Sequence, residues 1–180
     1  MRARESDPMQ RVSFWLMPAG PDRRTLSEVI RELAARFDAP LFDPHVTIYS
    51  GPLQETDAVW QIVSEAGAAF SPFALNTTGI SHSGQFTKTL CFEFAEDERL
   101  TRVSQMLRQR MSVAADYELR PHLSLIYAPL SEEARRKAAT EVILPSAIRF
   151  DGIRAIRHHG VSTRRDVEAW ETVAEVKLRR

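Results

Sequence analysis

Two histidines in this chain stand in almost the same setting. His45 lies in PHVTIYSGPL (44–53) and His122 in PHLSLIYAPL (121–130). Each follows a proline and precedes, by two residues, a small hydroxyl, Thr47 or Ser124. The separation is constant across the ten residues (122 − 45 = 77). On a strand, residues i and i+2 point to the same side. Each stretch therefore delivers one imidazole and one hydroxyl to one face and turns Val46, Ile48, Leu123 and Leu125 to the other. Brought together, two imidazoles and two hydroxyls suit in-line displacement at a phosphodiester. One imidazole takes a proton from the attacking water, the other gives a proton to the leaving oxygen, and both titrate near neutrality. The hydroxyls donate hydrogen bonds to the non-bridging oxygens, where charge grows in the transition state. The scheme needs no metal and no cofactor, and neither motif sets a carboxylate or thiolate at ligand spacing. A single His-x-Thr is ordinarily a structural histidine; the recurrence of both groups in both stretches argues for catalysis.

Positioning such a pair requires two equivalent frameworks, and the 77-residue offset extends beyond the motifs, as a duplication should. Under it Phe14-Trp15 falls on Cys91-Phe92, Phe42 on Leu119 and Phe73 on Phe150. VSFWLM (12–17), closed by Pro18, Gly20 and Pro21, predicts a buried strand. Thr25 and Glu28 have capping-box spacing, and Leu26, Val29, Ile30, Leu33, Ala34 and Phe37 follow as a helical stripe. A second helix is predicted over 56–70. Strands over 73–80 and 87–94 are joined by SHSGQ as a hairpin, with His82 an exposed turn residue. The next helix carries Leu100, Val103, Leu107, Met111 and Ala114, and the chain closes with a strand over 171–178. These elements predict an α+β fold of two pseudo-symmetric lobes, about 12–84 and 85–180. They form a single bilobal domain over 12–180, behind a flexible polar tail at 1–11.

Composition narrows the function classes. Hydrophobic residues at 43% and charged residues at 27% are ordinary for a globular chain, which excludes fibrous and disordered classes. Lys plus Arg balances Asp plus Glu at 24 each, so no global field draws the protein to nucleic acid or to anionic membrane. The single cysteine, Cys91, excludes an internal disulfide and a site of several thiolates. No apolar run reaches the roughly 20 residues of a membrane span, so a cytoplasmic protein without membrane association, and a monomer, is expected.

The paired H-x-[ST] motifs resemble those of the 2H phosphoesterase superfamily, and within it the chain is most similar to the plant and yeast cyclic phosphodiesterases. FWLMP, FDPHVTI, PHLSLIYAPLSEEARRKA and WETVAEVKL carry that likeness. The resemblance implies a bilobal α+β fold with antiparallel-rich sheets lining a central cleft. It also implies metal-independent opening of 2′,3′-cyclic phosphates, or of ADP-ribose 1″,2″-cyclic phosphate. His45 and His122 are then the catalytic pair, with His122 as base for water and His45 protonating the departing oxygen. Thr47 and Ser124 bind the substrate phosphate, and Tyr127 contacts phosphate or ligand. Trp15 has two readings, core packing and cleft lining. RNA ends, as in the 2′-5′ RNA ligase branch, are the alternative substrate. A non-catalytic nucleotide-binding module is a third reading, against which the intact acid–base set speaks. RAIRHHGVSTRR (154–165), with four arginines and with His158 and His159, would be a loop gripping phosphate or, preferably, a solvated one.

Overall fold

The computed structural model of the protein describes residues 10–179, so the predicted tail falls outside the described residues except for its last two. Of these, Arg11 is not tail: it opens the first strand, β1 (Arg11–Pro18), which is buried throughout beyond that residue. Helix α1 (Gly20–Phe37) starts before the predicted capping box, leaving Thr25 within the helix, where its hydroxyl donates to the Pro21 carbonyl at 3.4 Å. Pro21 sits in the first turn, where its fixed φ and missing N–H cost nothing. Asp22 beside it accepts the Arg149 N–H at 2.7 Å and ties the helix start to the sheet. The helix ends at Asp38, the only described non-glycine residue with positive φ (49°), in the left-handed conformation common at such ends.

Strand β2 (Val46–Pro52) carries the first motif and is followed by α2 (Val59–Ala69) and β3 (Phe73–His82). The second half repeats the order with β4 (Leu90–Phe94), α3 (Glu98–Arg110), β5 (His122–Ile126), α4 (Glu132–Glu141) and β6 (Ala147–His158). A short helix, α5 (Arg164–Glu168), and a last strand, β7 (Glu171–Lys177), complete the chain. The predicted hairpin is present between β3 and β4, bridged by a 3-10 turn over Phe86–Lys88; His82 ends β3 half-buried rather than sitting exposed in the turn.

All seven strands join one antiparallel sheet in the order β1-β2-β5-β4-β3-β6-β7, and a further β1–β6 pairing closes it on itself. Each first strand thus borrows a neighbour from the other half, β6 beside β1 and β3 beside β4. The helices cover the outer face: α1 lies over β5, α2 over β6 and β7, α3 over β2, and α4 over β3 and β4. Val46, Ile48, Leu123 and Leu125 are wholly buried beneath them, as alternation required. At about 1.5–3 kcal/mol each, their burial locks the register that presents the opposite face to the cleft.

The register also shows how the duplication was built. A bulge between Phe14 and Trp15 sets Trp15 opposite Thr47. The same bulge recurs between Leu90 and Cys91 and sets Cys91 opposite Ser124. Trp15 therefore corresponds to Cys91 (91 − 15 = 76), not to Phe92, although the motif strands keep 77 (124 − 47 = 77). One residue more between first strand and motif in the second half corrects the sequence alignment by one place. That place matters, because a slip of one residue exchanges the faces of a strand. Phe73 and Phe150 are direct Cα partners, so the pseudo-two-fold passes between β3 and β6.

Candidate active site

His45 and His122 line a single cleft of about 400 Å³ on the face of the sheet away from the helices. Both rings are held by the same device. His45 Nδ1 donates to the Asp43 carbonyl at 2.7 Å, and His122 Nδ1 donates to the Arg120 carbonyl at 2.7 Å. Each carbonyl lies two residues upstream, immediately before the motif proline, where an extended backbone turns it toward the ring. With Nδ1–H occupied, Nε2 is the nitrogen left on each imidazole to accept or deliver a proton.

The surroundings of the two rings differ. Trp15 stacks on His45 with centroids 3.6 Å apart and planes 9° from parallel, while Phe42 and Trp170 meet the imidazole edge-on at 6.2 Å. Trp15 is thus both buried, at 4% exposure, and part of the cleft wall. Burial pushes the His45 pKa down to about 3, against the pull of the Asp43 carbonyl, and the charges of His122 and Arg154 add to the depression. His122 is less enclosed. Burial lowers it too, with Lys88 in the same direction, while the Arg120 carbonyl and Glu93 oppose. Both imidazoles are held toward the neutral form, His45 the more strongly.

The hydroxyls have also diverged. Thr47 lines the cleft beside His45. Ser124 is 4% exposed, and its hydroxyl donates to the Thr87 carbonyl at 2.7 Å, with Cys91 Sγ 3.5 Å away. To reach a phosphate, Ser124 has to turn away from the 3-10 turn. Tyr127 lines the cleft but is 5% exposed, stacked on Phe42 at 4.0 Å and edge-on to Trp170 at 5.9 Å; burial holds its phenol protonated well above the usual range. Burial pushes the Cys91 thiol up to about 11, which leaves it unreactive as a nucleophile. Among the described residues, no three His, Cys, Asp or Glu side chains stand close enough to hold a metal ion.

The arginine-rich stretch is a loop only over 159–163. Its first five residues, Arg154 to His158, end strand β6, and Arg164 to Glu168 form α5 behind a Thr163 capping box. Arg154 is 8% exposed and already committed: it pairs with Asp43 and, at 2.7–2.8 Å, with Glu175. Arg23 reaches the same two carboxylates at 3.1 and 3.4 Å. Arg157 and Arg164 pair with Glu171 and Asp38. Far from gripping phosphate, Arg154 clamps the residue whose carbonyl orients His45. The signal was present as apolar alternation at Ile153, Ala155 and Ile156 around the charges, which marks a strand. His158 lines the cleft, 4% exposed, its Nε2 2.8 Å from Ser13 Oγ, a place the sequence reading did not give it.

A closed antiparallel sheet with two His-x-hydroxyl strands facing one cleft defines a two-histidine, or 2H, phosphoesterase. Within that class the chain belongs to the cyclic phosphodiesterase-like protein family, whose pattern matches residues 9–178, and it is a phosphodiester hydrolase. A cyclic phosphodiesterase of Arabidopsis thaliana is 22% identical over 172 residues, covering 92% of this chain and 94% of that one. The crystal structure of E. coli LigT complexed with 3′-AMP shares the fold at TM-score 0.60 and 14% identity, covering 96% of this chain and 99% of LigT. TT0787 of Thermus thermophilus shares it at TM-score 0.58 and 13% identity, covering 93% and 97%. No helix among the described residues is long and apolar enough to cross a membrane.

Proposed function

We propose that the protein is a metal-independent cyclic phosphodiesterase that opens 2′,3′-cyclic nucleotides or ADP-ribose 1″,2″-cyclic phosphate by acid–base catalysis between His45 and His122. The observation that carries this is the matched pair of Nδ1–carbonyl bonds, which leaves Nε2 on both rings for proton transfer across one cleft. In the reaction one neutral imidazole removes a proton from water as its oxygen bonds to phosphorus. The ring P–O bond then breaks, and the departing oxygen takes the Nε2 proton of the other ring, which enters the step as imidazolium. Thr47 steadies the non-bridging oxygens; Ser124 joins after turning from Thr87, and Tyr127 walls the phosphate pocket. The relatives support a small ligand: one is a plant cyclic phosphodiesterase, and LigT takes up 3′-AMP and phosphate. RNA ends carrying a 2′,3′-cyclic phosphate are the second reading, supported by the cationic Arg11 and Lys88 at the cleft margin.

On the division of labour two considerations pull apart. Family resemblance makes His122 the base and His45 the acid. The burial of His45 opposes its carrying the acid's proton until an anionic phosphate lies beside it. A substrate whose leaving group needs no proton decides the matter, since it rescues the alanine variant of the acid and not of the base. The overall proposal is tested by assaying 2′,3′-cyclic AMP, ADP-ribose 1″,2″-cyclic phosphate and an oligonucleotide 2′,3′-cyclic phosphate side by side in EDTA. Turnover of at least one, lost about 10²- to 10⁴-fold in His45→Ala and His122→Ala, is expected. Activity that disappears in EDTA and returns with zinc or manganese overturns it.

A further inference from the structure

The two halves of the cleft are not equally open. At the position of Ser50, the second half carries Tyr127 (127 − 50 = 77), and at the position of Ser13 it carries Thr89 (89 − 13 = 76). Thr89 spends its hydroxyl on the Ala128 and Phe86 carbonyls at 2.7 and 3.0 Å, and the Tyr127 ring and the 3-10 turn fill the space above it. In the first half a serine, Ser50, stands in place of that tyrosine. Ser13 and Ser50 face each other across β1 and β2 with oxygens 2.9 Å apart, and His158 completes a hydrogen-bonded chain through Ser13 at 2.8 Å. These serines line the same cleft as His45 and His122.

We infer that this arm, Arg11, Ser13, Ser50 and His158, is a second anion subsite that receives the phosphate attached to the 5′ carbon of the reacting ribose. It rests on the function proposed above. Arg11, Ser13 and Trp15 alternate along β1 and all line the cleft. Two residues of strand, roughly 7 Å, separate Ser13 from the Trp15 that underlies His45, close to the spacing of neighbouring phosphates in an extended nucleotide chain. Two more residues bring Arg11, whose guanidinium has no ion-pair partner among the described residues and whose charge is felt at His158. Among the described residues the Ser50 hydroxyl has only that of Ser13 as a partner, and it keeps hydrogen-bonding capacity toward the cleft. A guanidinium and serine hydroxyls around a buried imidazole are a donor set for a phosphate. The protein would then prefer cyclic phosphates whose ribose is linked onward, through a pyrophosphate or an RNA chain, to mononucleosides that end at a free 5′ hydroxyl.

The test is calorimetric and does not depend on turnover. Adenosine 2′,5′-bisphosphate should bind the wild-type protein about 10-fold or more tighter than adenosine 2′-phosphate, the weight of one charge-assisted hydrogen bond. Arg11→Met should bring the two affinities together. So should Ser50→Tyr, which copies the second half and closes the arm without touching a charge. Equal affinities in the wild type overturn the inference, as does a preference that survives both variants. An adenylyl dinucleotide with a terminal 2′-phosphate and ADP-ribose 1″-phosphate then separate the sources, the tighter ligand identifying RNA chain or pyrophosphate. Absence of turnover with intact bisphosphate preference would count against the catalytic proposal alone.

Discussion

Replacing Arg154 by methionine removes a charge that no water replaces and should be felt both in stability and in the titration of His45. Arg154 sits at 8% exposure with fork contacts to Glu175 at 2.7–2.8 Å and a further bond to Asp43. Breaking a buried ion pair costs about 3–5 kcal/mol where the stranded partner stays buried. Here the stranded carboxylates are 44% and 34% exposed and retain Arg23, so water and that arginine absorb part of the loss. A cost of about 1–3 kcal/mol remains, equivalent to a melting temperature lower by about 3–10 °C for a chain of this size. Burial alone would raise the Asp43 pKa, but the bond and charge of Arg154, with Arg23, hold it below its ordinary value. A depressed carboxylate stabilises the fold above its unfolded pKa near 4 and ceases to do so as pH falls through its folded value. The gap between wild type and variant should therefore be full at neutrality and narrow below about pH 4. The effect on activity follows from the Asp43 carbonyl, which fixes the His45 ring: a ring misplaced by an ångström costs on the order of 10²-fold in kcat. Arg154 is also one of the charges that keep His45 unprotonated, so its removal should move the limb of the pH–rate profile that reports His45 to higher pH. Arg154→Lys, a single ammonium without the fork, should recover part of the stability and restore that limb. Thermal unfolding against pH and steady-state kinetics with a 2′,3′-cyclic nucleotide give both readouts. A methionine variant with wild-type melting and an unmoved limb would refute the argument.

Three further outcomes follow from the same geometry. Thr47→Ala should lower kcat about 10- to 1000-fold with little change in melting temperature. Ser124→Ala should in addition cost about 1–3 kcal/mol of stability, because it strands the Thr87 carbonyl; equal melting of the two variants would contradict this. Trp15→Phe should keep a ring under His45 and most activity, whereas Trp15→Ala should lose about 3–5 kcal/mol and let the His45 pKa climb toward 6.5, followed by NMR titration. His45 and His158 are held neutral by burial, with pKa values near 3 and 4, so the stability they contribute is complete above their unfolded value of about 6.5. It should decline as pH falls from there toward 4, and a flat stability profile between pH 7 and 4 would show that neither ring is so enclosed.

The motif strands were legible because everything that fixes them is local. Alternation alone sends His45 and Thr47 one way and Val46 and Ile48 the other, and duplication supplies the second pair. The order of elements was legible for the same reason. What escaped the sequence is what depends on partners far along the chain. Four arginines between 154 and 165 resemble a solvated loop until Asp43 and Glu175 are brought against one of them, and neither is near it in sequence. The start of α1 was misplaced because Thr25 and Glu28 mimic a cap, while the true start draws on Pro21 and on a backbone N–H in β6. The one-residue slip between Trp15 and Cys91 was invisible because one added residue between β4 and β5 leaves no mark on composition, only on which side chain meets its neighbour.

That slip bears on the chemistry. Hydrolysis through two imidazoles requires that at one moment one ring is neutral and the other charged. Two rings in identical surroundings would share a single proton without preference, and half the population would hold it on the wrong side. The duplicated backbone gives both rings one tautomer, Nδ1 on a carbonyl and Nε2 free. The side chains then break the symmetry. Where the first half sets Trp15 beneath its histidine, the second sets a small cysteine. Where Asp43 is clamped by two arginines, its counterpart Arg120 pairs only with an exposed glutamate at 2.7 Å. His45 becomes rigid and hard to protonate, His122 looser and closer to water. The duplication makes the pair; its divergence decides where the proton rests.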